Sequence, residues 1–331
     1  MRKMIADFPQ QLLEAYEVAR QVALSRKARP LRHVLICGMG GSGIGADYIQ
    51  RWCAAQAKTP VFVHKGYDAP VWAGSSGVLA ICSSYSGNTE ETLQAAEGLH
   101  AAGATVVCVT SGGKLADFAR AHGLDTVALP SGWSSPRACL GFSIGAQAGV
   151  LAAHGVLKRS MLAELKKSSR LLSKSATEIR NQAQLLANSI AGKMPIIYAP
   201  DHLEPVALRW RQQINENAKQ LCWHHVIPEM NHNELVGWTE QAPDKAVLWL
   251  RDPEESARVH QRMRITREIT SHFAGATAEI RAKGDSLLQR MLYLTHFGDW
   301  LSVLLAEARK VDPVEIRVID FLKNELAGNK A

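Results

Sequence analysis

The chain has 331 residues, 47% of them hydrophobic and 21% charged. That length and apolar content build about two domains with sizeable cores and exclude an intrinsically disordered chain. The formal net charge of +7 favours anionic partners. Nucleic acid is excluded as an expectation, because the densest basic cluster, Lys166, Lys167 and Arg170, falls on a helical pattern as a solvated face and not as a focused stripe.

None of the six cysteines forms a Cys-x-x-Cys pair, and Cys37, Cys82 and Cys108 lie inside apolar β-like runs as small hydrophobes. That usage suits a reducing cytosol better than a disulfide framework. Met1 to Phe8 carries charges and no apolar signal core. A cytoplasmic location is therefore expected.

Residues 9–27 are patterned as an amphipathic helix. The run His33–Cys37 predicts a short strand ending in glycines, followed by a helix over Ser42–Ala55. Further strands are predicted at Pro60–His64, Val78–Cys82 and Thr105–Val109, with helices at Thr89–Ala101 and Leu115–His122. Strands alternating with helices imply a parallel sheet covered on both faces.

Ala138–Leu157 carries no formal charge, and Gly141, Gly145 and Gly149 repeat at the Gly-x-x-x-Gly spacing of packed membrane helices. Ser143, Gln147 and His154 argue for a buried helix of a soluble protein instead, and no membrane association is expected.

Near residue 155 the pattern changes. Ser160–Ala191 is a long helical stretch without proline or glycine. Strand-like runs follow at Pro195–Ala199, Leu221–Val226 and Ala246–Leu250, with helices at Glu204–Gln220, Glu255–Phe273 and Asp285–Lys310. This is a second α/β unit with the layout of the first, which divides the chain into 1–154 and 155–331 without a strong sequence repeat. Asp312-Pro313 marks the start of a final helix.

Gly38-Met39-Gly40-Gly41-Ser42-Gly43 follows a strand and precedes a helix, matching the Gly-x-Gly-x-x-Gly dinucleotide pattern. A dinucleotide fold places an acidic residue at the end of the next strand, which here ends in His64-Lys65-Gly66. An NADP site would tolerate a cation there. Alternatively the glycines admit a sugar phosphate to the backbone, with Ser42 and a helix N-terminus offering donors. A tight turn with no ligand is the plain reading, but three glycines before Ser42 and one after exceed what a turn requires.

The segment Ser83-Ser84-Tyr85-Ser86-Gly87-Asn88-Thr89 then crowds hydroxyls into one loop before a helix that opens with Glu90 and Glu91. Hydroxyls and orphan N–H groups at a helix start make a phosphate clamp without a lysine. A simple helix cap would need only one hydroxyl.

These two motifs resemble the sugar isomerase (SIS) domain. The resemblance continues through SGGKLADFA at 111–119, SPRA at 135–138, NENAK at 215–219, EMNHNELVGW at 229–238 and DPVEIRVIDFLKNEL at 312–326. Together, from about His33 to Leu326, the chain is similar to the bifunctional phosphoglucose/phosphomannose isomerases of the phosphoglucose isomerase superfamily. The resemblance implies an α/β fold with two SIS-type subdomains, each a parallel sheet flanked by helices on both faces. It implies interconversion of glucose 6-phosphate and/or mannose 6-phosphate with fructose 6-phosphate, without a cofactor.

It also assigns residues. Ser84, Ser86 and Thr89 would bind the phosphate, helped by Gly41 and Ser42. Glu216 would move the proton between C1 and C2 through an enediolate, a task suited to one carboxylate on one face. His232 would open the ring, a proton transfer to which an imidazole is suited, and in relatives it reaches the site from the neighbouring subunit, which implies a homodimer. Lys323 would assist there, and Arg137 would stabilise the enediolate charge. Without the resemblance, Glu216 and Lys323 read as ordinary helix-surface residues. The chain departs from the family pattern at Gly141-Phe142, where relatives often carry a proline, and at Ile316, where some carry a threonine linked to accepting both epimers.

A metal site built from His225, Glu229 and His232, with His224 nearby, is disfavoured because Pro228 breaks the helical spacing. Two other classes stay open beside the isomerase. A sugar-phosphate sensor usually adds a DNA-binding helical domain, for which about thirty residues before the first strand are too few. An NADP-dependent oxidoreductase would rest on the glycine loop alone.

Overall fold

A computed structural model describes residues 1–28 and 30–328. The chain forms two compact units that are not contiguous in sequence. One comprises Lys3–Ala176 with Lys283–Tyr293, and the other Met1–Arg2, Thr177–Ala282 and Leu294–Ala331.

In chain order the elements up to the middle of the sequence are α1 (Arg2–Ala6), α2 (Phe8–Gln21), β1 (His33–Cys37), α3 (Gly40–Cys53), β2 (Val61–His64), β3 (Val78–Ser83), α4 (Glu90–Ala101), β4 (Thr105–Thr110), α5 (Gly113–Ala121), β5 (Asp125–Ala128) and α6 (Leu140–His154). The sheet is parallel throughout and ordered β2-β1-β3-β4-β5. Its central strands are continuous apolar runs because helices cover both faces. Leu35 and Cys37, Ala80 and Cys82, and Val106 and Cys108 pack one face against Ala95, Ala96 and Leu99 of α4 and Leu115 and Ala119 of α5. The alternate residues face the other way, as strand geometry requires. Cys37, Cys82 and Cys108 stand in register on three neighbouring strands, and all six cysteines are free and buried.

The remaining elements are α7 (Ala163–Ser189), β6 (Met194–Pro200), α8 (Glu204–Ala218), β7 (Trp223–Ile227), β8 (Ala242–Arg251), α9 (Ala257–Ser271), β9 (Ala274–Arg281), α10 (Leu287–Ala308) and α11 (Arg317–Gly328). The second sheet is parallel and ordered β7-β6-β8-β9. Renumbered from its first strand this is 2-1-3-4, the order of the first sheet less one strand. Ile196, Tyr198, Val247 and Trp249 pack one of its faces with Met230 and Met263.

Four differences from the sequence expectations have local causes. The first helix breaks at Asp7 and ends at Gln21, not at 27, because the backbone N–H groups of Ser25 and Arg26 donate to the Asp125 carboxylate instead, at 2.9 and 3.2 Å. Strands β5 and β9 had no sequence signal. They are sheet edges, with the part-exposed sequences Asp125–Ala128 and Ala274–Arg281. The last helix starts at Arg317, not at Pro313, because Asp312 accepts from Val314 N at 2.8 Å and turns the chain before the helix begins. The Gly-x-x-x-Gly segment is α6, buried along Leu140–Ala153. Among the described residues no helix is long and apolar enough to cross a membrane.

Candidate functional site

In the first sheet the strand order reverses between β1 and β3. Open parallel sheets take ligands in the crevice beyond the carboxyl ends of the two strands at such a switch point. The two segments singled out in the sequence leave those two ends, residues 38–43 after β1, of which Gly40–Gly43 already form the first turn of α3, two residues earlier than expected, and residues 84–89 after β3. They are joined directly, since Tyr85 N donates to Ser42 Oγ at 3.3 Å.

The hydroxyls of the second loop are ordered among themselves. Ser84, 2% exposed, accepts from Gly87 N at 3.1 Å and shares a hydrogen bond with Thr89 Oγ1 at 2.8 Å, in which either can donate. Thr89 is the N-cap residue of α4 but makes no side-chain cap bond, so the simple cap reading fails for it. Ser86 is exposed and accepts from Asn88 N at 3.3 Å. Tyr85 ties the loop to its surroundings. Its carbonyl accepts from Ser111 Oγ at 2.6 Å, and its hydroxyl donates to Pro130 O at 2.9 Å and accepts from Trp133 N at 3.2 Å.

Arg137 lies in the short turn Pro136–Ala138 just before α6 and is 7% exposed. The backbone of that turn rests on the glycine loop. A β-carbon at Gly41 would fall 3.0 Å from the Pro136 carbonyl oxygen and 3.2 Å from Arg137 Cα. Gly41 is therefore needed for close approach, whatever else it does. Gly41, Ser42, Ser84, Ser86, Thr89 and Arg137 thus belong to one unit and one end of one sheet.

The sequence reading missed the side chains that brace this arrangement. Gln147 is fully buried on α6, and its Nε2 reaches Ser143 Oγ at 3.0 Å and both Ser42 O and Ser83 Oγ at 3.4 Å. The available signal was an amide in an otherwise apolar, uncharged helix.

Glu216, His232 and Lys323 belong to the other unit. Glu216 is half-buried near the end of α8. That helix is fixed by buried polar contacts to α10. Arg209 Nε and Nη2 donate to the Asp299 carboxylate at 3.1 and 2.9 Å, Gln213 Nε2 joins it at 3.1 Å, and Asn217 Nδ2 donates to Ser302 Oγ at 2.9 Å. His232 is exposed at the end of the turn Glu229–His232. The following turn is pinned by Glu234, which accepts from the Tyr198 hydroxyl and from Trp223 Nε1 at 3.1 Å. Burial, with Glu234 beside it, holds the Tyr198 phenol well above its usual range. Lys323 is exposed on α11, as are Val318, Phe321, Leu322 and Leu326. Ile316 sits immediately before that helix, and its carbonyl accepts from Ile319 N at 2.8 Å.

Two of the residues weighed as metal ligands have other partners, and among the described residues no group of three or more His, Cys, Asp or Glu could hold a metal ion. Glu229 accepts from Asn233 Nδ2 at 2.9 Å. His225 Nδ1 lies 3.3 Å from Glu234, close enough for an ion pair when protonated but not aligned for a hydrogen bond. Burial first, then Arg211 and His225, depresses the His224 pKa to about 4. As for a dinucleotide, Lys65 at the end of β2 is paired with Asp47, which neutralises the cation an NADP phosphate would use.

Residues 29–132 match the SIS domain family, and residues 179–326 match the family described as the bacterial phospho-glucose isomerase C-terminal SIS domain. A bifunctional phosphoglucose/phosphomannose isomerase of Caldicellulosiruptor bescii is 34% identical over 99% of this chain and 99% of its own. One from Aquifex aeolicus is 35% identical over 92% of this chain and 93% of its own. A D-glucosamine-6-phosphate 4-epimerase of Sulfolobus acidocaldarius is 30% identical over 62% of this chain and 63% of its own. Among solved structures, the C-terminal domain of glucosamine-fructose-6-phosphate aminotransferase from Francisella tularensis superposes with a TM-score of 0.75 at 15% identity, covering 95% of this chain and 97% of that one. At that identity the likeness speaks for the fold alone.

Proposed function

Because the chain belongs to the bifunctional phosphoglucose/phosphomannose isomerase family, we propose that it interconverts glucose 6-phosphate and mannose 6-phosphate with fructose 6-phosphate through an enediolate. Near-full-length identity to isomerases of that family carries the reading. The hydroxyl array at the switch point of the first sheet supports the phosphate half of it.

In this reading Ser42, Ser84, Ser86 and Thr89 hold the phosphate, and Gly41 keeps the Arg137 turn close enough to share the site. The contacts form an oriented relay. Gly87 N–H donates to Ser84, and with Ser84 O–H then donating to Thr89, one of the two directions their contact allows, the Thr89 proton is left for a phosphate oxygen. Such chains strengthen each member, and a hydroxyl donating to an anion makes one of the stronger hydrogen bonds. The N-terminus of α4 adds orphan N–H groups and its dipole.

Glu216 is the proposed base that carries the proton between C1 and C2, His232 the acid–base group for ring opening, Lys323 its assistant, and Arg137 the cation facing the enediolate. Four residues in distinct tasks, each mild alone, are what turn phosphate binding into isomerisation. The exposure of His232 just before a pinned turn suits donation to a second copy of the chain, and the bare apolar face of α11 suits burial in a homodimer. Six free, buried thiols suit the reducing cytoplasm.

The test is a coupled assay offering fructose 6-phosphate, glucose 6-phosphate, mannose 6-phosphate and glucosamine 6-phosphate to the protein and its Glu216→Gln variant. Turnover of the first three is expected, and the variant should lose roughly 10²- to 10⁴-fold in kcat. Epimerisation of the amino sugar alone would favour the activity named for the Sulfolobus relative. Tight binding with no turnover of any of them would make the protein a sensor, and a fully active variant would remove Glu216 as the base.

A further inference from the structure

We infer that Gln11, on the N-terminal helix α2, is a positioning residue for Arg137. The inference rests on the reading that Arg137 acts on the enediolate. Gln11 is 1% exposed. Its Nε2 donates to the Ala138 carbonyl at 2.9 Å across a sequence separation of 127, and its Oε1 accepts from Gly141 N at 2.7 Å. One amide therefore grips both ends of the short link between the Arg137 turn and α6.

Gly141 belongs to the same clasp. A β-carbon there would lie 2.7 Å from Gln11 Oε1 and 3.2 Å from its Cγ. The other side of the turn rests on Gly41. The backbone that carries Arg137 is thus fixed from two directions, by the glycine loop of the phosphate site and by α2.

Packing of α2 on α6 does not need this amide. One and two turns further on, Ala15 and Ala19 meet Gly145 and Gly149 backbone to backbone, with virtual β-carbons 2.6 and 2.7 Å from the Ala15 and Ala19 carbonyl oxygens. Leu12 beside Gln11 is fully buried, so an apolar side chain would have served for adhesion. A buried amide is tolerated only where both its ends are paired. Here the pairing falls on the residue after Arg137 and on an orphan N–H of the first turn of α6. A guanidinium that stabilises developing charge works only if it is held in place before the charge appears.

The experiment is a double-mutant cycle between Gln11→Leu and Arg137→Ala, with kcat and KM for fructose 6-phosphate and thermal midpoints measured for all four proteins. Gln11→Leu should lower kcat roughly 10- to 100-fold, the scale of a misplacement of about 1 Å, with KM within about threefold of the parent. In the Arg137→Ala background the same change should alter kcat by less than about twofold. Gln11→Met keeps the length of the side chain and loses both hydrogen bonds, so it should match leucine in kcat and serves if the leucine variant does not fold. Parental kcat in Gln11→Leu, or an equal loss in both backgrounds, reduces Gln11 to a fold residue and leaves Arg137 untouched. Parental kcat in Arg137→Ala overturns the role of the arginine and the inference with it.

Discussion

Replacing Thr89 with valine separates a phosphate ligand from a helix cap, because the two roles predict opposite pairs of observations. Valine keeps the shape and removes the hydroxyl. In the structure that hydroxyl makes one bond, to Ser84 Oγ at 2.8 Å, and none to the first turn of α4. The stability at risk is therefore one neutral hydrogen bond, about 0.5–1.5 kcal/mol. For units of this size that lowers Tm by about 1–6 °C. If the hydroxyl also donates to the phosphate dianion, the variant loses a bond to a charged group, about 1.5–3 kcal/mol. That corresponds to a fall in kcat/KM of roughly 10- to 150-fold, expressed mainly in KM. Steady-state kinetics with fructose 6-phosphate would be run beside thermal melts with and without inorganic phosphate. The parent should be stabilised by phosphate and the variant much less so. A variant whose KM stays within about threefold of the parent, and which phosphate still stabilises equally, would refute the relay through Thr89.

Further outcomes follow from other parts of the structure. Burial lowers the His296 pKa from 6.5 to about 4, with Asp299 opposing the shift. The unfolded chain therefore takes up this proton first as pH falls. The contribution, roughly 3 kcal/mol at most, is intact above pH 6.5 and is lost as pH drops toward 4. Urea midpoints across that window should fall less steeply for His296→Gln, and an identical slope would exclude this histidine as the cause. Mixing Glu216→Gln with His232→Ala under subunit exchange should restore about a quarter of parental activity if the histidine crosses a symmetric dimer; persistent inactivity places it in its own subunit. Ile316 stands where a threonine would cap α11, and Ile316→Thr should raise the turnover of mannose 6-phosphate relative to glucose 6-phosphate, an unchanged ratio ruling out that position as an epimer determinant.

What could be read from the sequence follows where its physics is local. The runs His33–Cys37, Val78–Cys82 and Thr105–Val109 announced themselves because strands buried on both faces are apolar without interruption. Edge strands β5 and β9 carry mixed residues and announce nothing. The hydroxyl loop was recognisable because its chemistry is contiguous. The bracing of the site was not, because Gln11 meets Ala138 and Gln147 meets Ser42 across separations of 127 and 105 residues. Asp312-Pro313 shows the reverse error, a sound local signal overridden when the aspartate turned the chain instead of starting the helix. Gly41 was read for its ligand and is also required by its neighbour, the turn of Arg137.

The cysteines offer a different use of the same architecture. Burial pushes the thiols of Cys53, Cys108 and Cys222 up to about 12, and all six cysteines are buried, so the folded protein presents no exposed thiol to an alkylating reagent. Five of the six, Cys37, Cys53, Cys82, Cys108 and Cys139, lie in the unit that carries the hydroxyl loop, and Cys222 alone lies in the other. Each label taken up is then a timestamp of a local opening. The mass added to intact protein, five tags or one, would reveal which half of the molecule comes apart first, without any engineered probe.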